Sequence, residues 1–307
     1  MIKLPTSSNP RGRMAVAAGV ASVSVALVLT LLKLWALGET GSLAIAATLV
    51  DSAMDLLMST GGLVAIVYSQ RPADDDHAFG HSSAEDLAAL AQSILVAVSA
   101  GVIAVAALRR LLSAEQPELQ SEGLGAMVLA ISIALTAGLV VWQRIVVRAT
   151  GNRVVAADSL HYLGDLLPAL GGLLALWASA AYGLTQVDSV VGLGAAALML
   201  VGAAGIGRKA FDALMDRRAD PKIIAGIEAI ASGFPGVRGF HDLKTRTAGS
   251  RIFVNIHIEL DGEQSLSEAH AIGAALRRAI LHAYPEADVI VHKDPVGVER
   301  HPDDPRG

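Results

Sequence analysis

The chain contains no cysteine among its 307 residues. That excludes a disulfide framework and any thiolate-held zinc, and it leaves the redox compartment open. A metal ion, where one binds, has to be held by His, Asp and Glu. Charge is scarce too: Asp, Glu, Lys and Arg make up 17% of the residues, and a net charge of −5 offers no basic footprint for a nucleic acid. Neither H-E-x-x-H nor a nucleophile elbow occurs, and there is no internal repeat or low-complexity tract. What the chain has instead is apolar surface. Hydrophobic residues reach 53% and mean hydropathy is +0.51, values that a soluble domain of this size rarely shows.

A bilayer core needs about 20 mostly apolar residues in helical form. Six stretches have that length: Met14–Leu37, Gly41–Ser69, Leu87–Leu108, Gly123–Trp142, Val154–Tyr182 and Val187–Ile206. The first exceeds a signal-peptide core and has no clear cleavage site behind it, so it reads as a retained span. Lys33, near its end, is placed to snorkel to the interface. Loop charges orient the spans. Arg11, Arg13, Arg71, Arg144, Arg148, Arg153, Arg208, Lys209, Arg217 and Arg218 all fall on one side if the N-terminus is cytoplasmic, with Arg109 and Arg110 dissenting beside Glu115 and Glu118. The majority puts both termini in the cytoplasm. The expected division is a tail over residues 1–13, a six-span unit over 14–207, a cytoplasmic domain over 208–295 and a disordered tail over 296–307.

After Arg208 the periodicity changes. Asp220-Pro221 reads as an N-cap with a first-turn proline, opening a helix that aligns Ile223, Ile224, Ile227 and Ile230. From Ile252 to Leu260 the residues alternate strictly, with Phe253, Asn255, His257 and Glu259 on the polar side. Ser265 and Glu268 form a capping-box pattern before a second helix carrying Ile272, Leu276 and Ile280, and Asp288 to His292 is a last strand. The order α-β-β-α-β predicts a small ferredoxin-like α+β domain behind an all-α membrane unit.

The second and fifth spans carry acids in their middle. Asp51 and Asp55 stand four residues apart on one helix face, and His161 and Asp165 do the same, with Asp158 one turn earlier. A charge at membrane depth costs at least about 2.5 kcal/mol, so these groups have to meet each other, a cation or water. If the two helices touch, three carboxylates and one imidazole form a set that suits a tetrahedral divalent ion such as Zn2+. A structural polar cluster with Ser52, Ser59 and Tyr162 is the other reading of the same residues.

Asp-x-x-x-Asp in the second span with His-x-x-x-Asp in the fifth resembles the cation diffusion facilitator family, and within it the bacterial ferrous-iron/zinc efflux pumps. The run Arg71-Pro72-Ala73-Asp74-Asp75-Asp76-His77-Ala78-Phe79-Gly80-His81, the run Leu87-Ala88-Ala89-Leu90-Ala91-Gln92-Ser93, His241-Asp242-Leu243 and Val289-Ile290-Val291-His292-Lys293-Asp294-Pro295 are similar to theirs in order along the chain. The resemblance implies a homodimeric zinc–proton antiporter whose transport site is Asp51, Asp55, His161 and Asp165. A His at the first fifth-span position goes with zinc-type selectivity in that family, and imidazole favours zinc over manganese or magnesium.

Read alone, Asp74, Asp75, Asp76, His77 and His81 form an acidic solvated loop. The resemblance maps a second, lower-affinity metal site onto Asp74, His77 and His81. In the terminal domain it implies a two-metal site from His241, His257, His292 and Asp294, with His270 contributing from the helix. Strand neighbours bring such side chains together. Seven of the nine histidines thus fall into candidate sites, leaving His282 and His301. One departure stands out. Relatives pair a lysine after the loop with an acid beyond span six, whereas this chain has Ser83 and Asp216, so the interlock is missing or rebuilt through Arg217 or Arg218.

Crowded carboxylates in a low-dielectric site need a counter-charge, which either protons or a dication can supply. A site that holds one or the other, and crosses the membrane only when filled, exchanges metal for protons. The expected activity is efflux of Zn2+, with Cd2+, Fe2+ or Co2+ as further cargo. A metal-sensing receptor without transport and an intramembrane metalloenzyme are the competing classes. A closed four-ligand site leaves no position for activated water.

Overall fold

The computed structural model describes residues 10–40, 43–112, 123–182 and 187–297. The expectations for the Arg110 side chain, for Glu115 and Glu118, and for the tail over 298–307 lie outside the described residues. The chain divides into two compact units, Met1–Phe211 and Asp212–Gly307.

The first unit is built from α1 (Pro10–Thr40), α2 (Leu43–Ser69), α3 (Ser83–Leu112), α4 (Gly123–Thr150), α5 (Arg153–Tyr182) and α6 (Val187–Leu214). All but α2 run past the apolar stretch seen in the sequence, because residues flanking the stretch extend the helix. These helices turn large apolar side chains outward: Val102 of α3 is 65% exposed and Val201 of α6 is 76% exposed. In water that would be an aggregation surface. Against lipid it is the expected face of a membrane span. Among the described residues five helices carry a window apolar enough to cross a bilayer. The fifth helix, 30 residues long, carries Asp158, His161 and Asp165 in its first half.

Small residues set the helix contacts, as expected where no hydrophobic effect operates between spans. A Cβ on Gly62 of α2 would lie 2.9 Å from Gln92 Nε2 of α3 and 3.2 Å from Val154 Cγ1 of α5. The bare glycine therefore lets α2 approach both helices, two turns from Asp55. Met199 and Ala203 of α6 pack against Val96 and Ala100 of α3, with Leu160 of α5 at the edge. Pro168 lies inside α5. It has no N–H, so the Gly164 carbonyl, between His161 and Asp165, lacks its usual intrahelical donor.

A buried knot joins four helices. Asp158 accepts hydrogen bonds from Ser22 Oγ of α1 (2.5 Å), Ser59 Oγ of α2 (3.2 Å) and Gln143 Nε2 of α4 (2.7 Å). Ser59 in turn bonds the Tyr162 hydroxyl at 3.0 Å. Three donors satisfy a carboxylate that water cannot reach. At the end of α3, buried Asp86 pairs with Arg153 of α5, and buried Glu85 accepts from Ser69 Oγ of α2 at 3.0 Å.

The second unit contains α7 (Pro221–Ser232), β1 (Gly239–Ala248), β2 (Arg251–Leu260), α8 (Leu266–Ala283) and β3 (Ala287–Pro295). The sheet order is β1-β2-β3. The first pair is antiparallel, and β2 runs parallel to β3 with α8 as the crossover. The Asp220 side chain caps α7 through the Lys222 amide, and Ser265 with Glu268 closes a complete capping box on α8. The alternation of β2 holds: Ile252, Val254, Ile256, Ile258 and Leu260 are buried under Ile227 of α7 and Leu276 and Ile280 of α8. Asp216, at φ 56°, pairs with Arg246 Nη1 of β1 at 3.1 Å, whereas Arg217 pairs with Asp212. The rebuilt interlock expected through Arg217 or Arg218 is therefore not the partner Asp216 takes within this chain.

Candidate functional site

The close approach of α2 and α5 brings Asp55, His161 and Asp165 together. His161 Nε2 lies 2.8 Å from Asp55 Oδ1 and 3.7 Å from Asp165 Oδ2. One ligand atom from each residue falls within 4.8 Å of the others, a spread that a single ion can span. The set mixes one imidazole with hard oxygen donors, a chemistry suited to a borderline divalent ion. The imidazole is buried, and its Nδ1 has no hydrogen-bond partner among the described residues. The ring is therefore held from the carboxylate side only. Asp51, the fourth residue of the expected set, is exposed one turn before Asp55 and lies outside this group of three. Asp158, which the helical spacing placed on the His161 face, is drawn away by Ser22, Ser59 and Gln143.

Lys33 does not snorkel. Its ammonium donates to the Thr48 carbonyl (3.1 Å) and to Ser52 Oγ (2.7 Å), both on α2. Ser52 is thus engaged by α1 and is not part of the Asp158 knot.

The loop between α2 and α3 folds Asp74, His77 and His81 into a second group. The His77 amide donates to Asp74 Oδ1 at 2.7 Å, and His81 Nε2 lies 3.3 Å from Asp74 Oδ2. Buried His81 places Nδ1 3.1 Å from the Pro72 carbonyl. With the proton on Nδ1, that bond leaves the Nε2 lone pair facing Asp74, the usual outer support of a metal-binding imidazole. Against the upward push of partial desolvation, the bonds from His77 and the two neighbouring imidazoles hold the Asp74 carboxyl below its ordinary range.

In the second unit, register does the assembly. His241 pairs with His257 across β1 and β2, and His257 pairs with His292 across β2 and β3. Asp294 sits among the three rings. Its Oδ2 lies 3.0 Å from His257 Nδ1 and 3.4 Å from His241 Nε2, and its Oδ1 lies 3.1 Å from His292 Nε2. Two supporting acids were missed by the sequence reading. Glu259 Oε1 is 3.1 Å from His241 Nδ1, and half-buried Asp242, at φ 47° where β1 bulges, is 3.8 Å from His257 Nε2. The β2 alternation, which puts Glu259 on the His257 face, carried the signal for the first of these. The structure does not bring His270 into this group within one chain. It is exposed on α8, and α8 packs on the apolar face of the sheet, opposite His257.

Residues 19–215 match the family described as the cation efflux transmembrane domain, and residues 219–296 match the cation efflux protein cytoplasmic domain. The chain is similar to the cation-efflux pump FieF of Klebsiella pneumoniae, with 38% identity over 94% of this chain and 95% of that protein. The FieF proteins of Yersinia enterocolitica (39%, 94% and 96%) and Pectobacterium carotovorum (39%, 97% and 98%) are similar to the same degree.

Proposed function

Since the chain belongs to the cation efflux family, which accounts for nearly all of its length, we propose that it exports Zn2+ from the cytoplasm in exchange for protons, through Asp55, His161 and Asp165 with Asp51 one turn away. By its family the protein is a multi-pass inner-membrane cation efflux transporter with a cytoplasmic dimer domain, not an enzyme. Zinc–proton exchange at this site is supported above all by the 2.8 Å approach of His161 Nε2 to Asp55 between α2 and α5.

The exchange follows from the donor set. Carboxylate and imidazole bind a metal only when deprotonated, so an arriving dication displaces the protons that balance the site. Metal or protons satisfy the buried charge, while the empty charged form is costly to carry through the low-dielectric interior. Both filled forms cross and the empty one stays, so an inward proton gradient drives metal outward. Cd2+, Fe2+ and Co2+ fit the same donors. Both termini lie in the cytoplasm on the distribution of loop arginines. Asp74, His77 and His81 form an auxiliary metal site in the loop. His241, His257, His292 and Asp294 hold regulatory zinc in the terminal domain and favour the homodimer, since metal bound only to one packing stabilises it.

The test is metal flux into proteoliposomes under an imposed pH gradient. Wild type is expected to accumulate Zn2+ against its gradient when the pH difference is imposed, and Asp55→Ala to lose that flux. Flux indifferent to the pH difference contradicts proton coupling, and full flux in Asp55→Ala contradicts the site.

A further inference from the structure

Lys33 is the only charged residue of α1 between Arg13 and Glu39. A lysine near the end of a span ordinarily runs along its helix to the interface. Here it turns sideways instead and is tied to α2 by two hydrogen bonds, to the Thr48 carbonyl and to Ser52 Oγ. Ser52 is buried, and it stands between Asp51 and Asp55 on the same helix. Thr30 Oγ1, one turn before Lys33, donates to the Ser52 carbonyl at 3.1 Å and holds the same contact. Desolvation acts most strongly on the ammonium, and the carboxylates of Asp55 and Asp51 of α2 and Asp165 of α5 oppose it. All three are acids of the proposed transport site, or one turn from it. A lysine ammonium has three donors and no lone pair, so it cannot join a metal's ligands. It can only compete with the metal for their charge.

We propose that Lys33 is the internal counter-ion of the transport site, a tethered cation that offsets part of the carboxylate charge, leaving the rest to metal or protons, and weakens metal binding enough for release. This deepens the transport-site reading and rests on it. The ammonium stabilises the anionic form and repels an incoming dication, so both effects act against tight capture. A transporter gains from that, because a site too deep traps its cargo.

Zn2+ titration of the full-length protein in nanodiscs tests the role, with the transport step identified as the binding lost in Asp55→Ala. Lys33→Gln is expected to tighten that step about tenfold, or ~1.4 kcal/mol, and to lower the maximal zinc flux. Lys33→Arg, which keeps the charge, is expected to stay within about threefold of wild type. Structural damage would weaken binding instead, so the direction of the change separates the two. Unchanged or weaker binding in Lys33→Gln overturns the proposal, as does Lys33→Arg behaving like Lys33→Gln. If Asp55→Ala removes no binding step, the transport-site reading falls first and the counter-ion role with it.

Discussion

Arg153 offers a sharp test of the packing in the membrane unit. The side chain of its partner Asp86 is 1% exposed, whereas the Arg153 side chain is 24% exposed. Removing one member of a buried ion pair leaves the other charge uncompensated, at about 3–5 kcal/mol when that charge cannot reach water. Arg153→Gln removes the guanidinium that faces the Asp86 carboxylate beside buried Glu85, with an expected cost of up to about 3–5 kcal/mol. Asp86→Asn strands the guanidinium instead, which hydrates through its exposed edge. The cost is then that of one charged hydrogen bond, about 1.5–3 kcal/mol. Replacing both residues with apolar ones of similar volume is expected to recover most of the loss. Thermal unfolding of the detergent-solubilised protein, followed by intrinsic tryptophan fluorescence, gives the three shifts in midpoint. Arg153→Gln is predicted to lower it most, Asp86→Asn less, and the double apolar variant least. Equal shifts for the two single variants, or a double variant as damaged as Arg153→Gln, would refute a desolvated pair joining α3 to α5.

Other outcomes follow from the sites. His161→Asp replaces the softest donor with a hard one and is expected to shift competing-metal flux from Zn2+ toward Mn2+. His257→Ala is expected to leave the α2–α5 site intact while reducing zinc-dependent dimer formation, read by light scattering with and without Zn2+. Ser265→Ala removes the N-cap of α8 and is expected to cost about 1 kcal/mol of terminal-domain stability, measured by urea unfolding. The Ser265 backbone bond holds the Glu268 carboxyl below its ordinary value of 4.5. A depressed carboxyl adds stability above the unfolded value and loses it as pH falls through the native one, so that part of the acid sensitivity below pH 4.5 is expected to vanish in Glu268→Gln.

Local patterns were legible in the sequence because neighbours on one element create them. The four-residue spacings of Asp51 with Asp55 and of His161 with Asp165 are helix geometry. The alternation from Ile252 to Leu260 is strand geometry, and Ser265 with Glu268 is a local hydrogen-bond exchange. What the sequence did not reveal depends on a partner far along the chain. Asp158 has the spacing of a ligand, but Ser22 and Gln143, from two other helices, capture it. Lys33 lies near a helix end and would reach water if Ser52 were not beside it. His270 shares its domain with His257, and only the packing of α8 on the apolar face separates them. Asp216 found Arg246, 30 residues away, in place of its neighbour Arg217. Periodicity tells which face a residue shares with its own helix, not what the next helix brings to that face.

The central claim is that α2 and α5 share one cation. Zinc K-edge X-ray absorption tests it on full-length protein with His77, His81, His241, His257 and His292 replaced by alanine, so that the remaining bound zinc reports on this site. The account predicts a first shell of one imidazole nitrogen with carboxylate oxygens, lost on Asp55→Ala. A shell without imidazole, or one that survives Asp55→Ala unchanged, contradicts it.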